Sequence, residues 1–156
     1  FGFMNLGKYY ERTLQSVDFL SYRFNDLTKN DYALQESVFW KNLLLSIGGY
    51  QIYLKTYKSI FNVNNIVELI SLNEFFPRSI KYSLRKLSVH VSLLNKYNNK
   101  IDNDLLFHVK KLDNYVGYSS IESINEIELG TFLEKIKSDL NHIYSLITKT
   151  YFSQLY

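Results

Sequence analysis

The chain has 156 residues, with 18 basic and 15 acidic side chains that give a net charge of +3 at pH 7. It has no cysteine and one proline, where average usage would give roughly eight prolines in a chain of this length. The lone proline favours long uninterrupted elements over a loop-rich sandwich, and the lack of cysteine excludes disulfides, thiolate metal sites and a cysteine nucleophile.

Apolar residues recur with a helical period along the first part of the chain. One stripe that can face a core consists of Phe3, Leu6, Tyr10, Val17, Leu20 and Phe24. Asn30-Asp31 then predicts a break and a helix cap. A second helix is predicted over Leu34–Tyr57, and the Gly48-Gly49 pair inside it predicts a kink or the close approach of two helices.

The rest of the chain predicts further helices, a short one followed by longer ones. Their apolar residues lie three and four apart over Ile66–Ile70, Ile80–Leu94, Leu105–Val116 and Leu129–Tyr151. Pro77 predicts the first turn of a helix, Asp102 predicts a cap, and Ser119-x-x-Glu122 has the form of a capping box. Because no run alternates with a period of two, the sequence predicts an all-α fold, a bundle of four to five long helices with short connecting helices, in a single domain over residues 1–156.

Charge and hydropathy argue against nucleic acid and membrane as partners. The positive charge is carried by 14 lysines and four arginines, without the arginine runs that clamp phosphates. The longest apolar tract, Leu43–Leu54, is interrupted by polar residues and glycine and is shorter than the ~20 apolar residues of a membrane span. The first residues lack the basic region and cleavage site of a signal peptide. We therefore expect a cytoplasmic protein without nucleic-acid or membrane contact.

Metal and catalytic signatures are missing from the sequence. The histidines form no H-x-x-x-H pair, and Asp139-x-x-His142 is a single copy of a motif that di-iron bundles need twice. The glycines form no phosphate-binding loop, and a triad around Ser79 or Ser83 has no sequence support, although a geometric triad stays open. We therefore assign no catalytic residue, no metal ligand and no cofactor.

The first predicted helix carries a second, unusual face. On a wheel of 100° per residue, Arg12 and Phe19 lie opposite the main apolar stripe, with Glu11 at the flank. A large aromatic in that position predicts a second packing surface, covered by a partner or by a segment outside this chain.

The segment Asn73–Ser79 is the other unusual place. It puts Glu74, two phenylalanines and Arg78 at a helix entrance, where free N–H groups and the helix dipole favour an anion. The alternative interpretation is that Arg78 and Glu74 pair locally and brace the turn.

Motifs at both places resemble those of the alpha-E family, a bacterial all-helical group of unknown function. The segment Leu6–Arg12 resembles the L-G-R-x-x-E-R signature of the family, with Lys8 where arginine is usual. The segment Ile66–Ile80 resembles its V-x-x-L-L … L-D-x-x-x-P-R-S-[LIV] stretch, with Asn73 where aspartate is common. Tyr50, Tyr53 and Tyr57 resemble the tyrosine-rich segment of the family, and Tyr151-Phe152-Ser153 resembles its closing Y-F-S.

The resemblance implies a context for the chain. Family members are longer and have a related helix near their N-terminus, so we expect this chain, which starts at Phe1, to be the C-terminal half of a longer protein. Members are typically encoded beside an ATP-grasp ligase-like protein and a transglutaminase-like cysteine protease. The implied role is in peptide synthesis or modification.

We interpret the chain as a helical accessory or scaffold protein rather than an enzyme. Its expected partners are the N-terminal half of the same protein, the ATP-grasp protein and a peptide ligand, with arginine as a bidentate clamp for a carboxylate. The candidate ligand- or partner-binding residues are Glu11, Arg12, Arg78, Glu74, Tyr53 and Tyr57. The alternative is an enzyme with a peptide-binding cleft that uses Glu11 and Arg78.

Overall fold

The computed structural model describes residues 2–27, 33–58, 61–97 and 103–153. Within those ranges the chain forms helices and no strand. The helices are α1 Gly2–Leu27, α2 Ala33–Ser46, α3 Tyr50–Tyr57, α4 Val63–Leu72, α5 Ile80–Tyr97, α6 Asn103–Gly117, α7 Ile121–Ile127 and α8 Leu129–Ile147, with a π-helical turn at Thr148–Phe152. The prediction of an all-α bundle with long helices and short connecting ones is confirmed.

The body of the bundle consists of α1, α5, α6 and α8. Helix α1 packs on α5 and α8, and α6 packs on the same two helices, while α4 packs against α1, α5 and α6. Because Gly2 lies against Leu94 and Ser16 contacts Arg78, α1 and α5 run antiparallel. None of the helices in the described part of the chain is long and apolar enough to cross a membrane.

The apolar stripes that predict the helices also form the core. The predicted stripe of α6 is buried throughout, at Leu105, Val109, Leu112 and Val116. Burying a side chain of this size contributes about 1.5–3 kcal/mol to the stability of the fold, so these stripes are the main attraction between the four helices. Phe3 departs from this pattern in α1, since it is 43% exposed and packs edge-on against Tyr151. The side chain of Phe24, the last residue of that predicted stripe, lies outside the described ones.

The predicted helix over Leu34–Tyr57 is wrong, because α2 and α3 are separated at Gly48-Gly49. The Gly48 N–H donates to the Leu45 carbonyl at 3.1 Å and the Gly49 N–H to the Leu44 carbonyl at 2.8 Å, which is the Schellman pattern. Gly48 has φ +69°, a left-handed conformation that ends a helix. The glycine pair does allow a close approach, since a Cβ on Gly49 would lie 3.4 Å from Cδ2 of Leu69 in α4 and 3.2 Å from Cζ of Phe76 in the turn that follows α4.

Two further helix starts differ from their predictions. Helix α5 begins at Ile80, so Pro77 lies in the preceding turn rather than in the first helical turn. The capping box of α7 is formed by Ser120 and Ser123, one residue later than predicted. The predicted caps Asn30-Asp31 and Asp102 lie outside the described residues.

The left-handed Gly48 generates a stability prediction. Gly48→Ala should lower the free energy of unfolding by about 1–2 kcal/mol, because an L-residue is strained at this φ, and Gly48→Asn should cost less. Urea unfolding followed by circular dichroism measures both values.

Gly7→Ala is the matched control, since a Cβ at this mid-helix position would meet nothing within 4 Å. It should raise the free energy of unfolding by about 0.5–1 kcal/mol. A Gly48→Ala variant as stable as the native protein would contradict the role given to this turn.

Candidate functional site

The segment Asn73–Ser79 folds into a turn that holds itself together, which we call the proline turn. The Asn73 Oδ1 atom accepts hydrogen bonds from the backbone N–H groups of Phe75 and Phe76, both at 2.9 Å. The Ser79 hydroxyl donates to the Asn73 carbonyl and accepts from the Tyr82 N–H at 3.0 Å, which caps α5. Asn73 therefore closes the turn with its amide oxygen, a role that a carboxylate oxygen can also perform.

The proline turn is docked against α1. The Ser16 hydroxyl donates to the Arg78 carbonyl at 2.6 Å, across 62 positions of sequence. Ser16, Phe76 and Ser79 are all buried at this junction, and the ring of Phe76 reaches Gly49 at the start of α3. The backbone of Arg78 is thereby fixed relative to α1.

The docking forms a small pocket that we call the arginine pocket. Its volume is about 200 Å³, and it lies between α1, the proline turn, α4 and the end of α2. Arg12 from α1 and Arg78 from the proline turn both line it. The other lining residues are Gln15, Ser16, Phe19, Ile47, Ile70 and Phe76.

Neither guanidinium group in the pocket is neutralised within the described part of the chain. The ion pairs found there join lysines or a histidine to acidic residues, and none includes Arg12 or Arg78. Arg12 instead lies over the ring of Tyr9, 5.8 Å from its centroid. The arginine pocket is therefore lined by two arginines that have no acidic partner among the described residues, beside apolar side chains.

The interpretation that Arg78 and Glu74 brace the turn is wrong. Glu74 Oε1 lies 2.9 Å from Nζ of Lys81, in the first turn of α5. This hydrogen bond, together with the charges of Lys81 and Arg85, holds the pKa of Glu74 below its ordinary value. Glu74 therefore pairs with Lys81 and not with Arg78, and Arg78 lines the arginine pocket.

The remaining candidates do not lie in the arginine pocket. Glu11 is exposed on α1 and lies outside the pocket lining. Tyr53 is fully buried, and its hydroxyl accepts the Asn62 N–H at 3.2 Å, so it is a core residue. Tyr57 and Glu74 line a separate pocket of about 340 Å³.

This separate pocket is acidic, with Glu68 and Glu122 in its lining besides Glu74. The Tyr57 hydroxyl donates to Glu68 Oε1 at 2.7 Å. Partial burial and this hydrogen bond raise the pKa of Tyr57, so the hydroxyl stays protonated and acts as a donor. The predicted set therefore divides between two pockets of opposite charge, with Tyr53 in the core and Glu11 exposed in neither pocket.

Sequence reasoning missed most of the pocket lining besides the arginines and Phe19. Gln15 and Ser16 lie three and four residues after Arg12, so helical spacing from Arg12 to Phe19 was a usable signal for them. Ile47 and Ile70 come from distant helices, and no local pattern connects them to Arg12.

The comparison with known families agrees with the resemblance. A family model, Alpha-E, described as a predicted alpha-helical domain with a conserved ER motif, matches residues 1–152. Glu11-Arg12 is the one Glu-Arg dipeptide in the sequence, and Arg12 is the member of it that lines the arginine pocket. No curated protein and no solved structure matches the chain.

The geometry of the proline turn predicts how substitutions at Asn73 behave. Asn73→Ala should lower the free energy of unfolding by about 1–2 kcal/mol, because two backbone N–H groups lose their acceptor. Asn73→Asp, which keeps an oxygen in place, should remain within about 0.5 kcal/mol of the native protein. Thermal unfolding of both variants provides the measurement, and equal losses would show that the side-chain oxygen does not hold the turn.

Proposed function

The chain belongs to the alpha-E family, and on that premise we propose that it is a helical accessory protein that binds the carboxylate of a peptide. In this proposal it acts with an ATP-grasp ligase-like protein and a transglutaminase-like protease in the synthesis or modification of that peptide. The observation that carries the proposal is the convergence of Arg12 and Arg78, which are far apart in sequence, on one pocket.

A carboxylate is the ligand that this pocket suits best. Guanidinium groups bind carboxylates through paired, charge-assisted hydrogen bonds, and two unpaired guanidinium groups repel each other until an anion lies between them. The apolar walls formed by Phe19, Ile70 and Phe76 suit the hydrocarbon part of the residue that bears the carboxylate. Inorganic anions gain nothing from such walls.

The lining also favours binding over catalysis. The titratable side chains of the arginine pocket are Arg12 and Arg78, and guanidinium groups stay protonated in proteins, so neither serves as a general base. The Ser16 hydroxyl is used as a donor to the Arg78 carbonyl, which opposes a nucleophilic role. These features support an accessory function, with Glu11 exposed beside the pocket and accessible to a partner.

Carboxylate binding can be tested with a minimal peptide. The probe is tri-alanine with a free C-terminus, compared with tri-alanine amide by isothermal titration calorimetry. The native protein should prefer the free acid, and Arg12→Ala and Arg78→Ala should each weaken binding about tenfold or more, because each removes a charged hydrogen-bond donor.

Arg23→Ala is the matched control for this titration. Arg23 lies on α1 as Arg12 does, but its guanidinium lies over the ring of Tyr22, away from the pocket lining. The affinity of the Arg23→Ala variant for tri-alanine should equal that of the native protein. Equal binding of the acid and the amide, or normal binding by both pocket variants, would refute the proposed ligand.

Partner binding needs a separate experiment. The full-length protein, tagged and co-expressed with the two neighbouring gene products, should retain the ATP-grasp ligase-like protein through affinity and size-exclusion steps. Glu11→Ala should weaken this association while leaving tri-alanine binding intact, because Glu11 lies outside the pocket. Recovery of the tagged protein with neither neighbour would contradict the accessory role.

A further inference from the structure

Positive charge continues from the arginine pocket along the seam between α1 and α5. The two helices run antiparallel, and the ring of Tyr9 stacks on His90 with centroids 5.4 Å apart and planes 13° apart. Lys8 and Arg12 lie one helical turn apart on α1, while Lys86 precedes His90 by one turn on α5. We call the three cations near this stacked pair, Lys8, Arg12 and Lys86, the cationic strip.

The members of the strip are close to one another. Lys8 Nζ lies 5.4 Å from the centroid of the Tyr9 ring, and the Arg12 guanidinium lies 5.8 Å from the same ring. Burial and the positive charges of Lys86 and Lys8 lower the pKa of His90, so both lysines are near enough to act on its ring. The lowered pKa leaves His90 largely uncharged near neutral pH, so the charges of the strip are those of Lys8, Arg12 and Lys86. Lys86 Nζ lies over the ring of Tyr82, 5.6 Å from its centroid.

No ion pair in the described part of the chain includes Lys8, Arg12 or Lys86. Two carboxylates lie nearby: Glu11 follows Lys8 by three residues on α1, and Glu74 lines a small pocket with Lys86 but pairs with Lys81. The cationic strip and the arginine pocket share Arg12 and so form one surface, whose cations, Lys8, Arg12, Arg78 and Lys86, outnumber the carboxylates beside them.

We propose that this surface is the binding site for an acidic peptide, whose terminal carboxylate enters the arginine pocket and whose side-chain carboxylates lie along Lys8 and Lys86. The inference rests on the proposed function, which supplies the terminal carboxylate. It adds the substrate class, a peptide rich in glutamate or aspartate, and two residues that select it.

The length of the surface fits a short peptide. The helical rise from Lys8 to Ser16 on α1 is about 12 Å, and an extended peptide advances about 3.3 Å per residue. About four residues therefore span the distance from the arginine pocket to Lys8. A peptide of this length places its earlier side chains beside the lysines when its terminus is in the pocket.

The same features disfavour nucleic acid and polyphosphate. Bases of single strands bind by stacking on open aromatic faces, whereas one face of Tyr9 is stacked on His90 and cations lie over the ring. The apolar residues Phe19, Ile47 and Ile70 in the pocket wall offer nothing to a phosphate. Carboxylates attached to a hydrocarbon chain match both parts of the surface.

The test compares tetra-glutamate with tetra-alanine, both with free C-termini, by calorimetric titration at low salt. Tetra-glutamate should bind the native protein about tenfold more tightly, and added salt should reduce this difference. Lys8→Ala and Lys86→Ala should each weaken tetra-glutamate binding about threefold and leave tetra-alanine binding unchanged. Thermal unfolding of both variants verifies that they fold.

Lys96→Ala is the matched control, since Lys96 is an exposed lysine on the same helix, ten residues after Lys86 or about 15 Å along the axis. It should bind both peptides as the native protein does. An equal loss with Lys96→Ala, no preference for tetra-glutamate, or tighter binding of tripolyphosphate or oligo-dA would overturn the acidic-peptide site. Failure of tetra-alanine itself to bind would overturn the proposed function instead.

Discussion

One hydrogen bond, from the Ser16 hydroxyl to the Arg78 carbonyl, is the constraint on which the arginine pocket depends. Hydrogen bonds that Asn73 and Ser79 make within the proline turn already shape it, so the bond to Ser16 has only to position a rigid unit. Because Ser16 is buried, leaving its hydroxyl without an acceptor would cost about 1–3 kcal/mol, which disfavours other placements of the turn. Because the backbone of Arg78 meets this demand, its side chain remains available for a ligand.

The electrostatics of the surface follow from the same docking. Docking brings Arg78 to the pocket that Arg12 lines, while the ion pair with Lys81 draws Glu74 to the opposite side of the turn. Repulsion between these cations lowers the stability of the fold, and a bound anion would reduce that repulsion. A carboxylate-bearing ligand would relieve this repulsion in the arginine pocket and along the cationic strip at once.

Much of the fold could be predicted from sequence because apolar spacing alone determines which face of each helix is buried, as on α6. The break at Gly48 was missed because the apolar spacing continues through the glycine pair, although a left-handed glycine is a common way for a helix to end. The opposite face of α1, with Arg12 and Phe19, was predicted correctly as a second packing surface. Its cover was not, since the chain's own proline turn supplies it.

At the candidate site, contacts that depend on the path of the chain or join residues distant in sequence could not be predicted from local sequence. The predicted Glu74–Arg78 pair was wrong because Lys81, in the first turn of α5, binds the carboxylate of Glu74 instead. The path of the turn between them decides which cation is nearer, and local sequence does not give that path. Family membership was predictable from short motifs and is confirmed by the family match. The association with a ligase and a protease, and the place of this chain as the C-terminal half of a longer protein, stay predictions.

The central claim is that Arg12 and Arg78 act together on one ligand, and a double-mutant cycle tests it most directly. Affinity for tri-alanine would be measured for the native protein, Arg12→Ala, Arg78→Ala and the double variant. A shared ligand predicts that the two losses are not additive, with a coupling energy of about 1 kcal/mol or more. Losses that add to within about 0.3 kcal/mol would show that the two arginines act independently and would contradict the account.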